Sequence, residues 1–134
     1  MDRSEATETA RQLVDDAVVA AQRAAPELVF EKLDDAVKEC LGTLGEQTEQ
    51  VSLVIDQTAV VDEATPLSEV MSGVEAVWSD AGVEIDRKEA TAVAPGPSMF
   101  GQLDDFNLEA GYIAETSSRP LSILIGVSTP CVDP

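Results

Sequence analysis

The stretch Phe106-Asn107-Leu108-Glu109-Ala110-Gly111-Tyr112-Ile113-Ala114, followed after a short link by Leu121-Ser122-Ile123-Leu124-Ile125-Gly126-Val127, decides the fold. In its first half, Phe106, Leu108, Ala110, Tyr112 and Ala114 alternate with Asn107, Glu109, Gly111, Ile113 and Glu115. That two-residue period marks a strand with one buried face. Leu121, Ile123, Ile125 and Val127 repeat the period against Ser122, Leu124 and Gly126. Thr116-Ser117-Ser118-Arg119-Pro120, between the two, has the composition of a turn. Consecutive strands on so short a link are expected to pair as an antiparallel hairpin.

Working back toward the N-terminus, Val83, Ile85 and Arg87 begin a further strand. It fades through Ala90, Ala92 and Ala94 into a loop, Ala94-Pro95-Gly96-Pro97-Ser98. Before it, Leu67, Val70, Met71, Val74, Val77 and Trp78 share one helical face. Thr65 is a candidate N-cap, Pro66 a first helical residue and Gly82 a left-handed C-cap. Val51 to Val61 is rich in β-branched residues and reads as a strand buried at its centre. Residues 5–25 are Ala-rich, with Ala10, Leu13, Val14, Ala17, Val18, Ala21 and Ala25 forming a helical stripe that ends near Pro26.

Residues 27–41 read two ways. Leu28, Leu33, Val37, Cys40 and Leu41 are spaced nearly as on a helix, whereas Leu28-Val29-Phe30 also reads as the start of a strand. Gly42-Thr43-Leu44-Gly45-Glu46-Gln47 is a loop. The order is therefore helix, an ambiguous segment, strand, helix and three strands. This predicts an α+β fold: a mostly antiparallel sheet of about four strands with two helices packed on one face. The length of 134 residues suits a single domain, 1–134.

Composition excludes more than it identifies. Asp and Glu number 26 against 8 Lys and Arg, a net charge of −18. Phosphate backbones and anionic membrane surfaces are bound by clustered Lys and Arg, so nucleic acid and such membranes are disfavoured partners. Hydrophobic residues make up 44% of the chain, enough for a packed core and too many for an acidic disordered tail. Histidine is absent, which removes the commonest general base and metal ligand near neutral pH. No run of residues approaches the roughly 18 apolar positions needed to span a bilayer. Met1-Asp2-Arg3-Ser4-Glu5 is unlike a signal peptide, so the expectation is either a cytosolic protein or one whose signal has been removed.

Cys40 and Cys131 fit no zinc spacing. They read either as buried free thiols or as a disulfide closing a loop of about 92 residues and tying down a tail that would otherwise fray.

An amphipathic N-terminal helix thus precedes Cys40, then a strand, then a helix ending Val77-Trp78-Ser79-Asp80-Ala81-Gly82-Val83-Glu84-Ile85. Further strands follow, the last running into Ser128-Thr129-Pro130-Cys131. This pattern resembles the small extracytoplasmic lipoprotein domains of actinobacteria. In those, a tryptophan-containing helix leads into Gly-apolar-x-apolar and the chain closes on Ser/Thr-x-Pro-Cys. The resemblance covers most of the chain, through short motifs. It implies an α+β domain, a Cys40–Cys131 bridge, export, and anchoring through a lipidated cysteine upstream. It implies no activity. The sequence departs from the pattern in carrying neither a signal nor a lipid-attachment cysteine, and in the helical spacing around Cys40.

Chemistry-bearing groupings are few. The acidic doublets Asp15-Asp16, Asp34-Asp35, Asp62-Glu63 and Asp104-Asp105 read as solvated surface, since adjacent residues point in different directions and do not converge on one bond. Asp104 and Asp105 are the best candidates for a calcium ion, without the EF-hand spacing. No serine or threonine has a histidine to activate it. Gly96-Pro97-Ser98-Met99-Phe100-Gly101 lacks the lysine of a phosphate loop. Met99, Phe100, Leu103 and Phe106 form an apolar cluster in or beside a loop. They either fold onto the core or present an apolar lip to a ligand or partner.

The expectation is a non-enzymatic extracytoplasmic domain without a cofactor, binding an envelope protein or a small apolar ligand. The alternative is a cytosolic acidic protein of a salt-rich cell, with a structural or interaction role. A carboxylate-based hydrolase or metal-binding protein fits least well.

Overall fold

The computed structural model describes residues 1–88 and 96–134. Helix α1 (Arg3–Ala24) begins at Asp2, whose Oδ1 accepts from the Glu5 backbone N–H at 2.9 Å. That bond satisfies one of the unpaired donors of the first turn. Its stripe of Ala6, Ala10, Leu13, Val14, Ala17 and Ala21 is buried. The small alanines let the second helix approach closely.

Helix α2 (Leu67–Asp80) lies against α1, and both pack on one face of the sheet. Its start is one residue later than the sequence suggests. Pro66 holds the cap position, while the Thr65 hydroxyl turns back to accept from the Asp62 N–H. Its end follows the expectation for Gly82, which has φ +94°. Val83 N–H donates to Trp78 C=O and Gly82 N–H to Ser79 C=O, the paired bonds of a Schellman cap. Trp78 is wholly buried, and its Nε1 donates to the Leu13 carbonyl at 3.0 Å, joining the two helices by a polar bond inside the core.

The sheet has seven strands, where about four are predicted from the sequence. They are β1 (Phe30–Lys32), β2 (Ala36–Leu41), β3 (Gln47–Val60), β4 (Glu84–Lys88), β5 (Ser98–Leu103), β6 (Phe106–Ile113) and β7 (Ser122–Ser128). The order is β1-β3-β7-β6-β5-β4, with β2 also on β3, and every pairing is antiparallel. The expected β6–β7 hairpin is present, and β7 inserts between β6 and β3.

Three of the extra strands have physical reasons for escaping the sequence. The ambiguous segment is β1 and β2, which flank the same side of β3. All of β2 except Cys40 is exposed, because this arm reaches past the helical layer. Without a buried face it shows no alternation, and its accidental helical spacing means nothing. β5 was hidden by Gly101 and by its proximity to prolines. The predicted fading of β4 through Ala90, Ala92 and Ala94 lies outside the described residues.

Cys40 and Cys131 form a disulfide, with Cα atoms 6.1 Å apart. After β7 the chain continues beside β3. The Thr129 Oγ1 accepts from Leu53 N–H, and Val132 exchanges both backbone bonds with Val51. β2 lies on one flank of β3 and this tail on the other, so the bridge ties the two flanks together. Among the described residues no helix is long and apolar enough to cross a membrane.

Candidate functional site

The sheet has one face under the helices and one face without them. Antiparallel partners directly opposite each other point the same way, so the register assigns each residue to a face. Ile55, Val127 and Leu108 form one row beneath the helices, and Gln57, Ile125, Ala110 and Met99 form another. The helix-free face carries the intervening rows. One is Asp56, Gly126, Glu109, Phe100 and Asp86, running across β3, β7, β6, β5 and β4. Its neighbour is Thr58, Leu124 and Gly111. Val54, Leu124 and Ile113 on this face are only half-buried, and no described helix or strand packs above them.

This geometry divides the apolar cluster read from the sequence. Met99 is 2% exposed and Phe106 1%, both in the core beneath the helices. Leu103 is partly buried against that core. Phe100 points the other way and is 47% exposed on the helix-free face. The reason is the two-residue period of β5, which sends neighbours to opposite faces. Beside Phe100 lies a shallow groove of about 440 Å³, bordered by Glu84, Asp86, Gln102 and Asn107.

Asp104 and Asp105 are the two central residues of the β5–β6 hairpin, between the paired Leu103 and Phe106. Both have positive φ, +46° and +68°, as a type I′ turn requires. Aspartate tolerates that left-handed region better than most residues. The doublet therefore has a turn-forming reason to exist. Among the described residues no group of three or more Cys, Asp or Glu converges as a metal site would need.

No local pattern singles out Asp56 and Glu109. They flank Gly126 in one row, and a Cβ at Gly126 would strike the Asp56 Oδ1. Glycine therefore leaves the room in which the Asp56 carboxylate lies flat on β7. That Oδ1 is buried and accepts no hydrogen bond from a described residue. Burial raises the Asp56 pKa, opposed by the nearby Lys38 charge. Burial raises Glu109 as well, and the negative charge of Asp56 adds to it, again opposed by Lys38. A long-range contact of this kind between β3 and β6 leaves no local signal, and only an isolated glycine in a strand hints at close approach. Tyr112, on the helical face, is pushed up to about 12 by burial, and its hydroxyl donates to the Leu67 carbonyl.

The fold and its bridge define an α+β domain of two layers, helices over an antiparallel sheet, closed by one disulfide. Compared with models of protein families, with curated proteins and with solved structures, the chain matches none.

Proposed function

We propose that this is a non-enzymatic extracytoplasmic domain of lipoprotein type that binds a protein partner at the cell envelope through its helix-free sheet face. The observation that carries this reading is the uncovered face itself, with Phe100 exposed toward its β4 edge and Val54, Leu124 and Ile113 half-buried elsewhere on it. Flat, partly apolar sheet surfaces suit a protein better than a small apolar ligand, which needs a cleft that buries most of its surface. The Cys40–Cys131 bridge supports export, because structural disulfides persist in oxidising compartments. The terminal Ser128-Thr129-Pro130-Cys131 and the Trp78-to-Ile85 stretch support the lipoprotein type, with an anchor upstream. The lack of histidine supports a binding role over catalysis.

Two measurements test it. Protein recovered from its native cell, alkylated before reduction, is expected to carry no modified thiol; two alkylated thiols would place it in a reducing compartment. Chemical cross-linking in the same cells is expected to give a discrete adduct that Phe100→Glu abolishes. Val19→Glu, at an exposed position on α1, is expected to retain it. Loss with both variants or with neither would overturn the assignment to this face.

A further inference from the structure

Gln57 sits where an aliphatic side chain is expected. It lies on the central strand β3, on the face beneath the helices, between Ile55 and Ala59 along the strand and opposite Ile125 on β7. It is 6% exposed. Burying an amide costs free energy unless its polar atoms are paired. Its Nε2 donates to Asp15 Oδ1 on α1 at a long 3.4 Å, and no described residue donates to its Oε1. The side chain lines a cavity of about 360 Å³ between α1, β3 and the β1–β2 connection. That volume is at the lower end of the range for small-molecule clefts, roughly 300 Å³ upward.

The charged groups around this cavity sort themselves. Arg11 Nη2 donates to Asp35 Oδ2 at 2.9 Å, joining α1 to the β1–β2 connection. The other charged residues bordering the cavity are Asp15, Asp34, Lys32 and Asp56, the last with its side chain on the opposite face of the sheet. Carboxylates outnumber cations there, Asp15, Asp34 and Asp35 against Arg11 and Lys32, and the Gln57 amide oxygen adds a further acceptor. The cavity also belongs to a chain of net charge −18, whose field attracts cations. A compact cation with several N–H donors answers this set, and the planar guanidinium answers it best, since it can bond two acceptors at once.

We propose that the cavity between α1 and the β1–β2 connection, floored by Gln57 and rimmed by Asp15 and Asp34, is a binding site for a small guanidinium-bearing molecule. Gln57 Oε1 and the Asp15 carboxylate accept its N–H groups, and the rest of the molecule occupies the space below the Arg11–Asp35 pair. This site is on the opposite side of the sheet from the face assigned to the protein partner, so either can fail without the other.

The test is a ¹H–¹⁵N titration of the intact, oxidised protein with methylguanidinium chloride. Saturable shifts are expected for the Gln57 side-chain amide and for the backbone amides of Lys32 to Asp35. Tetramethylammonium chloride at equal concentration carries the charge without donors and is expected to give no saturable shift. Asp15→Asn is expected to weaken binding at least tenfold, and Gln57→Leu, which keeps the volume of the side chain, to abolish it. A blocked Gly-Arg-Gly peptide is expected to bind more weakly than methylguanidinium. Tighter peptide binding would instead assign the cavity to an arginine side chain of a partner. Absence of saturation, equal shifts with tetramethylammonium, or full affinity in Asp15→Asn would each overturn the site. Asp15 is exposed and its variant leaves the core intact, so the answer does not depend on Gln57→Leu folding.

Discussion

Replacing both cysteines, Cys40→Ser with Cys131→Ser, opens the longest covalent loop in the molecule. The residues are 91 apart, so the loop comprises about 92 residues. The chain-entropy relation gives about 16 cal/mol/K for a loop of that size, or roughly 4.6 kcal/mol at 25 °C. For 134 residues the unfolding entropy is about 0.28 kcal/mol/K, which turns this loss into a fall in melting temperature of about 16 °C. The structure also says where the loosening begins. The tail beyond β7 keeps the Val51–Val132 backbone pair, the two Thr129–Leu53 bonds and the Ser52 hydroxyl bond to the Thr129 carbonyl to hold it against β3. Urea unfolding of the double variant and of the oxidised protein measures the global loss. Amide exchange at Val51 and Val132 measures the local one, and both amides are expected to lose protection ahead of β6 and β7. A loss below about 1 kcal/mol, the net worth of a single hydrogen bond, would refute the reasoning. So would unchanged exchange at those two amides.

Other perturbations read other parts of the structure. Gly126→Ala places a methyl group against the Asp56 carboxylate and is expected to cost about 1–3 kcal/mol in urea unfolding; the double variant with Asp56→Ser should recover part of it. Asp56 and Glu109 bind their protons more tightly in the folded state, above their ordinary values of 3.8 and 4.5. Their contribution is therefore most favourable below those values and is lost as pH rises through the raised folded pKa of each. Asp56→Asn is expected to flatten this decline, measured by unfolding free energy between about pH 4 and pH 7; an unchanged slope would contradict it. Trp78→Phe removes the Nε1 bond to Leu13 and leaves a small void, with an expected loss of about 2 kcal/mol and earlier separation of the two helices. Melting at low and at molar salt is expected to differ little, because the bridge and core hold the fold; loss of structure at low salt would favour the salt-adapted cytosolic alternative.

How much of this was legible in the sequence depended on whether an element had one buried face. The helix of residues 67–80 could be read from its apolar stripe and from Gly82, and the β6–β7 hairpin from strict alternation between Phe106 and Val127. Both sit against the single core. β2 could not be read, because its exposed residues are constrained by backbone pairing with β3 and by Cys40 rather than by burial. The division of Met99 from Phe100 needed the knowledge that β5 is a strand. With that knowledge, adjacent positions necessarily face opposite ways. The Asp56–Gly126–Glu109 row and the cavity over Gln57 are products of strand order. Residues from β1, β3, β6, β7 and α1 meet there through register alone, and neither their spacing nor their type announces it.

The central claim is that the helix-free face is a docking surface, and a photo-crosslinking residue in place of Phe100 tests it most directly. Irradiated in the native cell, a benzoylphenylalanine at position 100 is expected to give one discrete adduct with a protein partner. The same group at position 19, exposed on α1, is expected to give none. Equal labelling from both positions, or no adduct from position 100, would contradict the account.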